Sequence, residues 1–96
     1  MQKLNEKEIQ QHLESLPGWE YRDNAIETSL EFKDFKDAFT VMTRIAFEAE
    51  SQNHHPEWSN VYNNVSIRLS THDAGGVTKK DFELARAIED VIDDGN

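Results

Sequence analysis

Apolar residues near the start of the chain recur with the spacing of a short amphipathic helix. Asn5 and Glu8 are three residues apart, the spacing of a capping box at a helix N-terminus. The apolar positions that follow are Ile9, Leu13 and Leu16. Pro17 and Gly18 end the pattern, because proline and glycine both disfavour a continuing helix. His12 falls within this segment and is expected at the surface.

Residues 26–32 alternate between inward and polar positions, the pattern of a strand with one buried face. The inward positions are Ile26, Thr28, Leu30 and Phe32. Asp23 and Asn24 precede this strand and favour a two-residue turn, with Trp19 and Tyr21 on the preceding arm. We therefore predict a half-buried β-hairpin.

A longer second helix is predicted to follow the hairpin and to cover the sheet. Asp34 can cap its N-terminus, and the helix must end before Pro56, which places Glu50 in its last turn. Its apolar face comprises Phe35, Ala38, Phe39, Met42, Ile45, Ala46 and Ala49. This stripe could serve as a partner surface or a cofactor contact, but we expect it to pack against the core.

A second hairpin is predicted from residues 58–62 and 65–71, with Asn63 and Asn64 as its tight turn. The apolar face of its later strand is formed by Val65, Ile67 and Leu69. The polar face carries Ser66, Arg68, Ser70 and His72. We expect Arg68 to be an ordinary solvated strand residue.

A third helix is predicted to follow the break at Gly75 and Gly76, with Thr78 as its N-cap. Its apolar stripe comprises Leu84, Ala85, Ile88, Val91 and Ile92. Residues 93–96 are expected to form a frayed tail.

Three helices and two hairpins predict an α+β fold in the order α-β-β-α-β-β-α, with a four-stranded antiparallel sheet and helices packed on one face. We expect residues 1–96 to form a single domain. A chain of this length buries roughly two thirds of its unfolded surface, which is enough for one core.

Composition narrows the range of functions. The net charge of −9 opposes direct binding to nucleic acid or anionic lipid, since both depend on clustered lysine and arginine. Cysteine is absent, which excludes disulfides and thiol nucleophiles. The first ten residues lack the apolar core of a signal peptide and no apolar run reaches the length of a membrane span, so we expect a cytoplasmic protein.

The segment from Glu50 to His72 holds three of the chain's four histidines. His54 and His55 are adjacent and precede Pro56, which favours an irregular loop in which both imidazoles could serve one pocket. A hairpin would return His72 to the pair. Because the unperturbed pKa of imidazole is roughly 6.5, such a cluster predicts acid–base chemistry.

A metal site is the competing interpretation of the same histidines. Zinc sites usually show closely spaced ligands such as two histidines on one helix face, and adjacent histidines fit that geometry poorly. A further ligand could come from Glu50 or Asp81, but we expect no metal.

Asp81 stands three residues after Thr78, where a carboxylate completes a helix capping box. A carboxylate in that place can also orient a nearby imidazole such as that of His72. The two roles are compatible.

In its ordered set of residues, the segment resembles the signature of the pterin-4a-carbinolamine dehydratase family. The matching residues are Glu50, His54, His55, Pro56, Trp58, Tyr62, Ser70, Thr71, His72 and Asp81. The resemblance extends over residues 50–92, whereas the first half of the chain matches in size and in the order of its elements. It implies the predicted α+β architecture.

The resemblance implies loss of water from a 4a-hydroxytetrahydropterin to give quinonoid dihydropterin, as part of tetrahydrobiopterin recycling, without a metal or organic cofactor. The implied catalytic residues are His54, His55, His72 and Asp81. The implied substrate-binding residues are Glu50, Trp58 and Thr71. Glu50 could equally be an ordinary carboxylate at a helix end, and aromatic residues such as Trp58 and Tyr62 more often pack in a core.

The resemblance also implies a homodimer or homotetramer, formed by sheet edges and by the long helices. Animal members use those helices to stabilise the dimer of a homeodomain transcription factor. A non-catalytic binding module is therefore the alternative function, and action on a molybdopterin-related pterin is a third. Retention of all three histidines favours the enzyme.

Overall fold

The computed structural model describes residues 2–94, which form three α-helices and one four-stranded antiparallel sheet. The elements are α1 (Glu6–Leu13), β1 (Glu20–Arg22), β2 (Ala25–Glu31), α2 (Phe35–Gln52), β3 (Glu57–Val61), β4 (Asn64–Leu69), a 3-10 turn (His72–Ala74) and α3 (Lys79–Asp94). The predicted α+β fold and its element order are confirmed. Within residues 2–94, no helix is both long and apolar enough to cross a membrane.

The strand order β1-β2-β4-β3 places the two hairpins side by side, with β2 and β4 at the centre of the sheet. Across these central strands, Ile26 lies opposite Leu69 and Thr28 opposite Ile67. Since side chains alternate along a strand, these residues all point to the face that the helices cover. Side chains of the helices and of this sheet face meet in one hydrophobic core.

Short-range signals fix several element ends as predicted. The Asn5 side chain accepts from the Glu8 N–H (2.8 Å), and the Glu8 carboxylate accepts from the Asn5 N–H (3.0 Å). The Asp34 carboxylate caps α2 by accepting a hydrogen bond from the Asp37 N–H (2.9 Å). Asp23 and Asn24 both have positive φ angles, 52° and 64°, as a tight hairpin turn requires.

The buried face of α2 differs from the predicted stripe. Its buried residues are Ala38, Val41, Ile45 and Ala49. Phe35 and Phe39 are 49% and 56% exposed, with their ring centroids 5.7 Å apart, and Ala46 is also exposed. Each residue advances a helix by 100°, so Val41 lies on one flank of the buried face while Phe39 and Ala46 lie on the other. The core covers the flank of Val41, and on the other flank it reaches the half-buried Met42 but not Phe39 or Ala46.

The turn of the second hairpin lies one residue earlier than predicted. Val61 pairs with Asn64, which leaves Tyr62 and Asn63 as the turn residues, with a φ of 50° at Tyr62. The Asn60 side-chain amide closes this turn by donating to the carbonyls of Tyr62 (3.1 Å) and Asn64 (2.8 Å). Tyr62 is 61% exposed, so its expected place in the core is wrong.

The ends of α1 and the place of His12 also depend on tertiary contacts. The helix ends at Leu13, and Leu16 is buried in the turn beyond it. His12 was expected at the surface, but its ring stacks on Phe82 of α3 at 4.6 Å between centroids. Arg86 of α3 also contacts the His12 Nδ1 atom (3.2 Å). His12 is therefore part of the contact between α1 and α3.

Helix α3 extends through Asp93 and Asp94, which were predicted to fray. Arg44 of α2 donates to the Val91 carbonyl (3.4 Å) and lies 3.9 Å from the Asp94 carboxylate. A cation at a helix C-terminus is favourable, which accounts for the two additional helical residues. The last two residues of the predicted tail lie outside the described part of the chain. The predicted apolar stripe of α3 is buried or half-buried, as expected.

Arg68 is a structural residue and not a solvated one. Its guanidinium donates to the carbonyls of Arg22 (3.2 Å) and Asp23 (2.6 Å) and to the Glu27 carboxylate (3.0 Å). These contacts bind the β1–β2 turn to β4. The sequence pattern shows that position 68 faces away from the core, but not that a neighbouring turn reaches it.

We expect Arg68→Gln to lower the free energy of unfolding by about 1–2 kcal/mol, because it removes charge-assisted hydrogen bonds to the turn. Arg22→Gln is the matched control, since among residues 2–94 the Arg22 side chain pairs only with Glu27 and is 69% exposed. That control should cost less than about 0.5 kcal/mol. Urea denaturation measures both. Equal losses would contradict the structural role of Arg68.

Candidate active site

Helix α2 ends in a Schellman motif whose left-handed residue is Asn53, with φ 52° and ψ 42°. The Asn53 N–H donates to the Glu50 carbonyl (3.1 Å) and the His54 N–H to the Ala49 carbonyl (3.0 Å), the two bonds that define the motif. Asparagine adopts this conformation more readily than most residues. The cap fixes the direction in which the chain leaves the helix, and with it the positions of the two histidines.

His54 turns inward and contacts Asp81. Its Nε2 atom lies 2.5 Å from the Asp81 Oδ1 atom, and the two side chains are 11% and 0% exposed. A buried carboxylate needs hydrogen-bond donors, and the imidazole N–H is one of them. Residues 54 and 81 are therefore held as an imidazole–carboxylate pair.

The other Asp81 oxygen, Oδ2, accepts from the Thr78 N–H (2.9 Å) and from the Thr71 hydroxyl (2.9 Å). The Lys80 N–H donates to the Thr78 hydroxyl oxygen (3.2 Å), which completes the start of α3. The capping roles of Thr78 and Asp81 are confirmed. The imidazole next to Asp81 belongs to His54, however, and not to His72.

A tight reversal brings Thr71 to Asp81. Thr71 and Gly76 form an isolated antiparallel bridge, and the 3-10 turn between them ends at Gly75, where φ is 77°. This positive φ favours glycine at position 75. The reversal places the Thr71 and Thr78 hydroxyls 2.7 Å apart. Thr71 was predicted to bind substrate, but here its hydroxyl is bonded to two protein groups.

His55 faces outward and pairs with Glu50 from the last turn of α2. The His55 Nε2 and Glu50 Oε1 atoms are 2.8 Å apart, and the side chains are 59% and 80% exposed. Both groups stand at the C-terminal end of α2, whose dipole favours a positive charge there. Adjacent histidines thus have different environments: one is buried on a carboxylate and one is accessible to a ligand.

His72 begins the 3-10 turn directly after Thr71 and is exposed. It therefore lies at the same end of the sheet as the His54–Asp81 pair. Among residues 2–94, its side chain has no hydrogen-bond partner. The structure thus joins His54 to Asp81 and His55 to Glu50, while His72 is near them in the fold without being bonded to either pair.

Trp58 is half-buried on the edge strand β3, opposite Ile67, and packs against the core. Two concave regions lie away from the histidines. One, of about 610 Å³, covers the helix-free face of the sheet and includes Arg68, and the other, of about 480 Å³, lies beside α1 and β1. No histidine lines either region.

The described residues, 2–94, contain no group of three or more histidine, aspartate or glutamate side chains placed to hold a metal ion. Asp81 and Glu50 were considered above as further metal ligands. Their carboxylates are hydrogen-bonded to different histidines, Asp81 to His54 and Glu50 to His55.

The chain is similar to known proteins over nearly its whole length. The model of the pterin 4 alpha carbinolamine dehydratase family matches residues 2–91. A protein from Christiangramia forsetii, provisionally named a pterin-4-alpha-carbinolamine dehydratase, is 62% identical over 96 residues, covering 100% of this chain and 99% of its own. A protein from Opitutus terrae with the same provisional name is 53% identical over 89 residues, 92% of each chain.

A solved structure is similar as well. The crystal structure described as a transcriptional coactivator/pterin dehydratase from Brucella melitensis superimposes with a TM-score of 0.90. The two sequences are 43% identical, and the match covers 93% of this chain and 97% of the other. The chain therefore belongs to the pterin-4-alpha-carbinolamine dehydratase family, a family of hydro-lyases.

Asn53 was not among the predicted site residues, although an asparagine where a helical pattern stops is a recognised end signal. Asn53→Gly should change the free energy of unfolding by less than about 0.5 kcal/mol, because glycine also adopts positive φ. Asn53→Val should lower it by about 1–2 kcal/mol, because a β-branched residue is strained there. Thermal and urea denaturation would measure both. Equal stability of the two variants would contradict the importance of this cap.

Proposed function

We propose that this protein catalyses the removal of water from a 4a-hydroxytetrahydropterin, giving the quinonoid dihydropterin by histidine acid–base catalysis. In this step the C4a–O bond breaks and the N5–H bond gives its electron pair to a new C4a=N5 double bond. An acid must protonate the departing hydroxyl and a base must accept the N5 proton. Each such group is worth roughly a hundred- to ten-thousandfold in rate.

Two imidazole–carboxylate pairs at the end of one helix support this assignment, in a chain that belongs to the dehydratase family. The pairs are exposed to different degrees, so their histidines can take different roles. Pairs of titratable groups in contrasting environments are typical of acid–base active sites.

His54 is assigned as the base. Its Nε2 atom faces the Asp81 carboxylate, which can only accept a hydrogen bond when ionised, so Nε2 carries the proton. The Nδ1 atom of neutral His54 then has a lone pair with which to accept the N5 proton. The buried carboxylate stabilises the imidazolium that results, as the aspartate of a catalytic triad does, although there the carboxylate is bonded to Nδ1 and the base is Nε2.

His55 is assigned as the acid. As an imidazolium it can keep its Nε2–H on the Glu50 carboxylate, 2.8 Å away, and donate its Nδ1–H to the leaving hydroxyl. Glu50 is also exposed enough to accept hydrogen bonds from the amino-pyrimidine edge of a pterin. His72 is assigned to assist the proton transfers from the adjoining turn, and Trp58 to contact the substrate from the edge strand.

We further propose that the reaction serves cytoplasmic tetrahydrobiopterin recycling after aromatic amino-acid hydroxylation. The hydroxylase leaves the 4a-hydroxylated cofactor that this step consumes. No metal or organic cofactor takes part in the proposed step, since a protonated leaving group and a base complete it.

His55→Ala and His72→Ala should each slow the dehydration of 4a-hydroxytetrahydropterin by about a hundredfold or more while the far-UV circular dichroism stays unchanged. The substrate is made in situ by a phenylalanine hydroxylase, and the quinonoid product is followed by absorbance. His12→Ala is the control, because His12 contacts Phe82 and Arg86 and lies outside the proposed site. That variant can lose stability but should retain turnover. Full turnover in both of the first two variants would remove the proposed mechanism.

The exposed aromatic flank of α2 supports a second part of the proposal, that the protein is a homodimer or homotetramer. Phe35 and Phe39 are about half exposed and in mutual contact, and α2 is the longest helix of the described chain. The Brucella melitensis protein is described as a coactivator as well as a dehydratase, which makes a protein partner for the same flank the alternative.

Phe39→Ser should convert the assembly to a smaller species with unchanged secondary structure, because it places a hydroxyl in the proposed apolar contact. Size-exclusion chromatography with light scattering measures the mass. Gln11→Ser, an exposed substitution on α1, is the control and should leave the mass unchanged. If wild type is already a monomer at micromolar concentration, the oligomer is excluded and a partner becomes the better hypothesis.

A further inference from the structure

The hydroxyls of Thr71 and Thr78 form a hydrogen-bond chain whose direction is fixed. The Thr71 hydroxyl donates its single hydrogen to Asp81 Oδ2 (2.9 Å). The Thr78 hydroxyl lies 2.7 Å from that of Thr71, so Thr78 must be the donor in this pair. The Thr78 oxygen in turn accepts from the Lys80 N–H (3.2 Å). Every hydrogen in the chain therefore points towards the carboxylate.

The hydrogen-bond chain of Thr71 and Thr78 determines which oxygen of Asp81 is left for His54. Asp81 Oδ2 has two donors, the Thr71 hydroxyl and the Thr78 N–H. Oδ1 faces His54. Thr78 and Asp81 are both 0% exposed, so water cannot replace a missing donor without a rearrangement. Among the described residues, no buried side-chain nitrogen or oxygen lacks a partner.

We propose that Thr71 and Thr78 are positioning residues for the dehydration, acting through Asp81 on the tautomer of His54. By fixing the carboxylate, they hold the His54 proton on Nε2 and leave Nδ1 to exchange a proton with the substrate. This inference rests on the proposed role of His54 as the base. It also reassigns Thr71, whose hydroxyl holds the carboxylate and does not bind the pterin.

Helix capping alone does not account for the hydrogen-bond chain of Thr71 and Thr78. The cap of α3 consists of the Lys80 N–H on the Thr78 hydroxyl and the Thr78 N–H on the Asp81 carboxylate, and neither bond involves Thr71. Thr71 belongs to a different part of the fold, two residues after the end of β4, and its hydroxyl adds a second donor to Oδ2. Removal of that hydroxyl therefore tests the positioning role while the cap of α3 stays intact.

The test is the ring tautomer of His54, observed by NMR in protein labelled with ¹⁵N at histidine. Assignment uses the His54→Gln variant. Wild type, Thr71→Ser and Thr78→Ser should show one tautomer, protonated at Nε2. Thr71→Val and Thr78→Val should show a mixture of tautomers, and their kcat should fall about tenfold or more with little change in KM.

Thr28→Val is the matched control, because Thr28 is also buried and its hydroxyl donates to the Gly18 carbonyl (2.7 Å) away from the site. It should lose stability while the His54 tautomer and kcat stay as in wild type. An unchanged tautomer in folded Thr71→Val would overturn the inference, whatever happens to Thr78→Val. Normal turnover in His54→Gln would instead refute the proposed base, and it would do so independently of the tautomer measurement.

Discussion

The buried carboxylate of Asp81 is the constraint on which the site depends. An ionised carboxylate removed from water is strongly unfavourable unless donors surround it. Here the donors come from three parts of the chain: the start of α3, the segment that follows β4 and the loop after α2. Because each donor must reach the same two oxygens, these segments are fixed relative to one another. The requirement to solvate one charge thus assembles the site.

The two histidines that follow α2 differ in how firmly they are held and in how exposed they are. His54 is enclosed and bonded to a carboxylate that is itself held in place. His55 and its partner Glu50 are largely exposed, so they can adjust to a ligand at little energetic cost. The proposed roles, a rigid base at His54 and an adaptable acid at His55, suit a dehydration in which one proton is lost from a flat ring and another is delivered to a departing hydroxyl.

Much of the fold could be predicted because its determinants are local. The capping box at Asn5, the cap at Asp34 and the turn at Asp23 each depend on residues within a few positions of one another. Strands β2 and β4, with their alternating apolar and polar residues, and the apolar stripe of α3 follow from periodicity alone. The family signature also identified the histidines and both carboxylates, although it could not say which carboxylate meets which histidine.

The errors share a cause. Periodicity showed that Phe39 and Val41 are apolar but not which flank of α2 the core would cover. Likewise, the pattern around Tyr62 could not reveal that the Asn60 side chain would close the turn one residue earlier. Arg68 and His12 looked solvated because their partners are distant in sequence. In each case a tertiary contact decided between arrangements that local propensity left equal.

Because the chain leaves α2 through the left-handed residue Asn53, the length of α2 determines which histidine faces the interior. Each residue added to or removed from an α-helix turns its end by 100° and moves it by 1.5 Å. One residue gained or lost before Asn53 would therefore rotate the cap and carry His54 away from Asp81. Insertions should thus be tolerated in the surface turns of this chain but not between Asp34 and Pro56, where they would move His54 relative to Asp81.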